Sequence, residues 1–184
     1  MGLKSIDKSA QEKGSGVVTL WQFVKFIFVS LIAFIVQYGV LNILLVLPQI
    51  KAVMSQDFSW FVFNYIGENK GLGYFIAVNT ANILAQIVSF FINREKTFNS
   101  SSKISVTLPI YIIFTLALIC FSAWFAPTAQ GWLLDLGSTH STGILSKLNN
   151  VQLTSNISSM ICSAIQFFLY FPVDKILFRK PKEE

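Results

Sequence analysis

Residues 72–92 read LGYFIAVNTANILAQIVSFFI, and NREKTF follows at 93–98. The first stretch carries no charge and has about the twenty residues a helix needs to cross a hydrocarbon core of ~30 Å. A β-barrel strand would be about ten residues long and would alternate in polarity. This stretch does neither. Its polar residues instead follow helical spacing: Asn79, Asn82, Gln86, Ser89 and Asn93 succeed one another at steps of three, four, three and four. That places all five on one helical face. An unpaired amide in hydrocarbon costs several kcal/mol, so the face is expected to turn inward, toward other helices or water.

Three further apolar stretches resemble it in length. They cover residues 23–47, ending at Pro48; residues 104–126, ending at Pro127; and residues 151–171, ending at Pro172. The second stretch, 72–92, opens at the Gly71/Gly73 turn. Pro109 stands near the start of the third, where a proline is better tolerated than mid-helix. The fold class is therefore an all-α integral membrane protein with four transmembrane helices. Residues 1–20 read as a flexible arm, 21–178 as the membrane domain and 179–184 as a tail. The first apolar stretch follows a polar arm and is too long for a cleavable signal segment.

Composition agrees. The chain is 53% hydrophobic and 12% charged, about half the charge of a soluble domain. Eighteen Phe and four Trp suit a surface that meets acyl chains. The net charge of +5 fits anionic lipid headgroups; no basic run or RNA-binding aromatic motif points to nucleic acid. Cys120 and Cys162 both fall in apolar stretches and read as reduced packing residues.

Orientation follows from the basic residues. Lys4, Lys8, Lys13 and Lys25, then Arg94, Lys96 and Lys103, then Lys175, Arg179, Lys180 and Lys182 total eleven on one side. Lys51, Lys70 and Lys147 make three on the other. Both termini and the middle loop are thus expected in the cytoplasm. The outer connections carry Phe58, Trp60, Phe61, Phe63 and Tyr65, then Trp132, Leu133 and Leu134, which suits interfacial anchoring, or else a lid or partner-docking surface. A faint echo at a spacing of eighty residues pairs Gln86 with Gln166, Phe91 with Phe171 and Phe98 with Phe178. It reads as two parallel helical-hairpin repeats.

Two groups of residues could carry function. The amide line of the second helix is joined by Gln37, in step with Ser30, and by Asn156, Ser159, Ser163, Gln166 and Tyr170 in the fourth. These groups either bond between helices or line a polar cleft that accepts sugar hydroxyls, for which Asn79, Asn82, Gln86, Ser89, Asn93, Gln37 and Gln166 are the candidates. The second group is cationic. Arg94, Lys96, Lys25 and Lys175, with Arg179 nearby, either anchor the chain or hold a lipid phosphate. No carboxylate stands mid-helix, and the one histidine, His140, falls in an outer loop as a surface residue. That disfavours proton-coupled export and intramembrane catalysis. No phosphate loop, nucleophile elbow or metal cluster occurs, so no catalytic residue, metal or cofactor is expected and the chain reads as not an enzyme.

The run Ser89-Phe90-Phe91-Ile92-Asn93-Arg94-Glu95-Lys96-Thr97-Phe98 resembles the signature that closes the second helix in the GtrA-like family of small membrane proteins. Lys25-Phe26 at the first helix and Phe171-Pro172-Val173-Asp174-Lys175-Ile176-Leu177-Phe178 at the fourth support the likeness. Ser30, Ala33 and Phe34 stand where that family has small residues such as Gly. The resemblance implies that Ser89, Phe90, Asn93, Arg94 and Phe98 are motif positions. It implies a role in cell-surface polysaccharide synthesis: flipping a monosaccharide linked to polyprenyl phosphate, such as undecaprenyl phosphate, across the cytoplasmic membrane. The other role it implies is that of an accessory subunit that anchors a polyprenyl-phosphate glycosyltransferase. Four helices enclose little space, which suits a homo-oligomer whose subunits share the cleft.

Overall fold

A computed structural model describes residues 3–66, 71–139, 143 and 145–179. His140, Lys70, Lys180, Lys182 and the side chain of Lys4 lie outside the described residues. The chain runs α1 (Leu3–Glu12), α2 (Ser15–Val46), α3 (Pro48–Ala52), a hairpin of β1 (Phe58–Trp60) and β2 (Phe63–Tyr65), and α4 (Leu72–Ile92). A π-helical turn (Asn93–Thr97), α5 (Ile104–Ser138), a 3₁₀ turn (Leu145–Asn149) and α6 (Val151–Leu177) follow. Four helices, in α2, α4 with its π-helical turn, α5 and α6, are long and apolar enough to cross a membrane. The protein is an all-α, four-span membrane protein.

Two compact units share these elements. The first comprises residues 1–47, 77–112 and 171–184; the second comprises 48–76 and 113–170. In the first, Phe90, Tyr111 and Phe178 are almost wholly buried. Phe90 meets Tyr111 and Phe178 at ring separations of 5.2 Å. Phe171 meets Phe23 and Phe26 at 5.0 and 5.5 Å, edge to face, the geometry favoured by ring quadrupoles.

In place of a flexible arm, residues 3–12 form α1. Ala10 is buried, and Asp7 accepts hydrogen bonds from Lys25 Nζ at 2.9 Å and Trp21 Nε1 at 2.5 Å. Gly14, at φ 104°, then turns the chain into α2, a conformation glycine takes without Cβ strain. A short polar helix is marginal alone, and these contacts are what hold it.

The ends of two helices also differ from expectation. α5 does not stop at Pro127 but continues to Ser138. A proline removes one backbone donor, and the Thr128 hydroxyl supports that turn by donating to the Trp124 carbonyl at 2.8 Å. α6 likewise passes Pro172 and ends at Leu177. Cys120 and Cys162 are free thiols.

The second unit explains the glycine turn. Gly71, Leu72 and Gly73 donate their N–H groups to the carbonyls of Met54, Gln56 and Val53 at 2.9, 2.7 and 3.0 Å. The start of α4 is thus capped by backbone rather than by a side chain. A Cβ on Gly71 would lie 2.1 Å from the Gln56 oxygen, and one on Gly73 would lie 2.4 Å from the Ile50 oxygen. The hairpin pairs Phe58 with Tyr65 and Trp60 with Phe63. Its two-residue turn needs positive φ, which Phe61 adopts at 55°. Phe58, Phe63 and Tyr65 surround Phe75 at 4.4, 5.1 and 5.3 Å, while Trp60 and Phe61 stay exposed. Gly71→Ala is expected to lower stability by about 1–3 kcal/mol, the usual cost of forced overpacking. Thermal unfolding in detergent, followed by size-exclusion chromatography, would show the loss, with Gly39→Ala as the open-space control.

Candidate functional site

α4 turns a different line inward from the one its amides suggested. Ala77, Ala81, Ala85, Ser89, Asn93 and Thr97 recur at steps of four and are all buried. Asn79, Asn82 and Gln86 flank this line and are half-buried. Small side chains let helix backbones approach closely, and that requirement outranks the amides for the innermost position. α6 behaves likewise: Thr154, Ser158, Cys162, Tyr170 and Asp174 are buried at steps of four or eight, whereas Asn156, Ser159 and Ser163 are exposed. The expectation of an inward-facing stripe through those three residues is corrected.

Where the amides do meet partners, the partner is often α5. Gln86 Oε1 accepts from the Tyr111 hydroxyl at 2.9 Å. Gln166 Nε2 donates to the Ser122 hydroxyl, and the Tyr170 hydroxyl donates to Thr115 Oγ1 at 3.1 Å. Asn79 is engaged as well. Ser30 donates to the Phe26 carbonyl within its own helix at 2.9 Å; Gln37 is half-buried on the same helix.

At the end of α4 the chain builds a buried knot. The Asn93 amide donates to Asp174 Oδ2 at 2.9 Å and to the Ser89 hydroxyl at 3.3 Å, and its oxygen accepts from the Thr97 hydroxyl at 2.9 Å. Asn93 and Asp174 are 0% exposed, and Thr97 is 1% exposed. The π-helical turn places these groups: the Phe98 N–H reaches back to the Asn93 carbonyl at 2.9 Å, and Ser100 N–H to that of Arg94 at 2.9 Å. Asn99, at φ 51°, ends the turn. Single π turns inside helices occur often at functional sites. The second carboxylate oxygen of Asp174, Oδ1, meets no donor among the described residues.

Sequence reasoning assigned Asp174 to a helix end and gave it no role. It does stand in the last turn of α6, yet it is fully buried. The echo Phe171-Pro172-Val173-Asp174-Lys175 was the available signal. An acidic residue set among that run's apolar neighbours needs a partner, and the buried Asn93 of the other motif supplies one.

The cations divide. Arg94 donates Nε and Nη2 to the Ser102 carbonyl at 3.2 and 2.6 Å, which closes the loop before α5. Lys96 is exposed and pairs with its neighbour Glu95 at 2.6 Å. Neither lines a cavity with the others. Lys25, Lys175 and Arg179 do come together, around a cavity of about 270 Å³ that Asp7, Gln22 and Thr97 also line. Lys25 Nζ donates to the Lys96 carbonyl at 2.8 Å and lies 5.8 Å from the Trp21 ring centre. Lys175 Nζ donates to the Thr19 hydroxyl at 2.7 Å. Arg179 makes no side-chain hydrogen bond or ion pair among the described residues, so its planar fork of donors is unspent. Three cations against one carboxylate make the cavity anion-binding in character.

Two outcomes follow. Asn93→Leu leaves Asp174, Ser89 and Thr97 without their shared partner, and at about 1–3 kcal/mol for each orphaned group the protein is expected to lose at least ~3 kcal/mol. Denaturation midpoints in detergent would register it, and Asn93→Gln is expected to fall between. Asp7→Asn removes the carboxylate resident on Lys25. Calorimetric titration is expected to show inorganic phosphate binding about two- to fivefold more tightly, the scale of a partly exposed ion pair.

No protein family, curated protein or solved structure matches this chain; what the cavity does must be argued from its own chemistry.

Proposed function

We propose that the protein moves a lipid-linked sugar across the cytoplasmic membrane, with the lipid's phosphate seated in the cavity of Lys25, Lys175 and Arg179. The observation that carries this reading is that cavity. It sets an uncommitted guanidinium and two ammonium groups beside hydroxyl and amide donors, at the end of the chain's membrane-crossing helices. Arg179 suits bidentate contact with phosphate oxygens, and the lysines add point charge. The likeness of residues 89–98 to the GtrA-like signature names the class of lipid: a polyprenyl phosphate carrying one sugar. The excess of basic residues around the termini and middle loop supports a cytoplasmic placement of this cavity. Arg94, earlier the leading phosphate ligand, is spent on Ser102, and Arg179 takes its place. No reacting group is required: phosphate recognition and a polar path for sugar hydroxyls suffice, with half-buried Asn82 and Gln86 among the candidates for that path.

A second reading has an observation in its favour. Gln86 and Gln166 both bond to α5 residues, as amides do when they join helices. An accessory subunit that anchors a membrane glycosyltransferase needs no more than that. Reconstitution separates the two. Purified protein in vesicles is expected to carry a fluorescent polyprenyl-phosphate sugar from one leaflet to the other. The combined change Lys25→Ala, Lys175→Ala, Arg179→Ala should slow it at least about tenfold, the loss of roughly one charged hydrogen bond, while Lys51→Ala leaves it unaltered. Absence of transport, together with co-purification of a glycosyltransferase that survives Asn82→Leu and Gln86→Leu, would establish the accessory role instead.

A further inference from the structure

α6 carries a second polar line, and it faces outward. Gln152, Asn156, Ser159 and Ser163 follow at steps of four, three and four, so they share one helical face, and all four are exposed. They lie in the part of α6 that belongs to the second unit, within a helix long and apolar enough to cross a membrane. The same line continues at Gln166 and Tyr170, and there it is engaged by Ser122 and Thr115 of α5.

The hydroxyls on the line are unusual for this protein. Elsewhere a helical Ser or Thr settles its donor on the carbonyl four residues back: Ser30 on Phe26, Thr107 on Lys103, Ser122 on Leu118, Ser158 on Thr154. Ser159 and Ser163 make no hydrogen bond among the described residues. Asn156 accepts from Gln152 Nε2 at 3.2 Å, which leaves its own N–H donors unspent. Lipid offers these groups nothing, and unsatisfied polar groups in hydrocarbon are costly. Flanking positions on α6 are apolar and exposed, with Met160 at 72% and Leu153 at 39%, as lipid contact requires.

We infer that Gln152, Asn156, Ser159 and Ser163 form the contact between two copies of this chain in the membrane. Amides and hydroxyls are self-complementary because each both donates and accepts, so a copy of the same face satisfies the line without a second kind of surface. Copies inserted with one topology are related by a twofold axis along the membrane normal, which sets each axial residue against its counterpart. The short side chains of Ser159 and Ser163 permit close approach at that crossing, where interhelical hydrogen bonds then form. This inference does not depend on what the cationic cavity binds.

Cysteine scanning tests it. In a Cys120→Ser, Cys162→Ser background, single cysteines at 156, 159 and 163 are expected to give disulfide-linked dimers on mild oxidation of native membranes. Cysteines at 153, 157, 160 and 164 are expected to give little. Single-molecule photobleaching of the purified chain in phosphatidylcholine vesicles should show pairs. Asn156→Leu with Ser159→Leu should raise the dissociation constant about tenfold or more. Ser159→Ala with Ser163→Ala, which keeps helix and size, should weaken pairing in the same direction, and Met160→Leu should not. Equal cross-linking at every position, a maximum on another face, single-step bleaching throughout, or cross-links only to a different protein would each overturn the inference.

Discussion

The Asn93 amide is the interaction on which the motif-bearing end of the protein depends. One side chain with two donors and one acceptor satisfies a carboxylate on α6 and two hydroxyls on its own helix. All of this happens out of contact with solvent, where the strength of a hydrogen bond and the cost of omitting it both rise. Leucine or alanine offers none of these bonds, and aspartate would repel the carboxylate of Asp174. The knot also fixes the position of its neighbours in sequence. Lys175 follows Asp174 directly, and Thr97, which donates to Asn93, lines the cationic cavity. The buried network and the cavity are therefore one construction: the first holds in place the backbone from which the second projects.

The π-helical turn is what allows this. An ordinary α turn after Ile92 would rotate Thr97 and Phe98 away from the face that Ser89 and Asn93 occupy. The Phe98 N–H to Asn93 carbonyl bond, five residues back, widens the turn and keeps Thr97 beneath Asn93. It also leaves Phe98 to pack on Phe178 at a ring separation of 5.7 Å. Arg94 then clamps the departing loop through the Ser102 carbonyl. A residue that looks from sequence like a phosphate ligand is thus occupied as a brace, since an Arg fork will take a nearby carbonyl as readily as an anion.

Much of the fold was legible in the residues. Four uncharged runs of sufficient length admit few other readings, and the stops at Pro48 and the glycine turn at 71–73 fall where backbone chemistry puts them. Pro127 and Pro172 misled because a proline costs a helix one donor and need not end it. The arm misled because α1 is held by Asp7 on Lys25 and Trp21, contacts 18 and 14 residues away that no local propensity reveals. The amide line was a correct observation of periodicity with the wrong innermost member. Periodicity identifies a face, but close packing selects Ala77, Ala81 and Ala85 for its centre and leaves the longer amides on the flank. The cavity was half visible: Lys25 and Lys175 were singled out, and Arg179 differed from Arg94 only in which cation the fold leaves unpartnered.

That distinction carries a wider argument about basic residues in membrane proteins. A positive charge near a helix end serves orientation whatever else it does, so counting charges cannot separate anchors from ligands. Accounting for their donors can. Lys96 is spent on Glu95, Arg94 on a carbonyl, and Lys25 partly on Asp7 and a carbonyl. The donors that remain belong to Arg179 and in part to Lys175, both beside one cavity. The same accounting, applied to hydroxyls rather than cations, separates Ser158 from Ser159, adjacent in sequence and opposite in circumstance. In both cases what the fold leaves unsatisfied marks where the protein meets something other than itself or lipid.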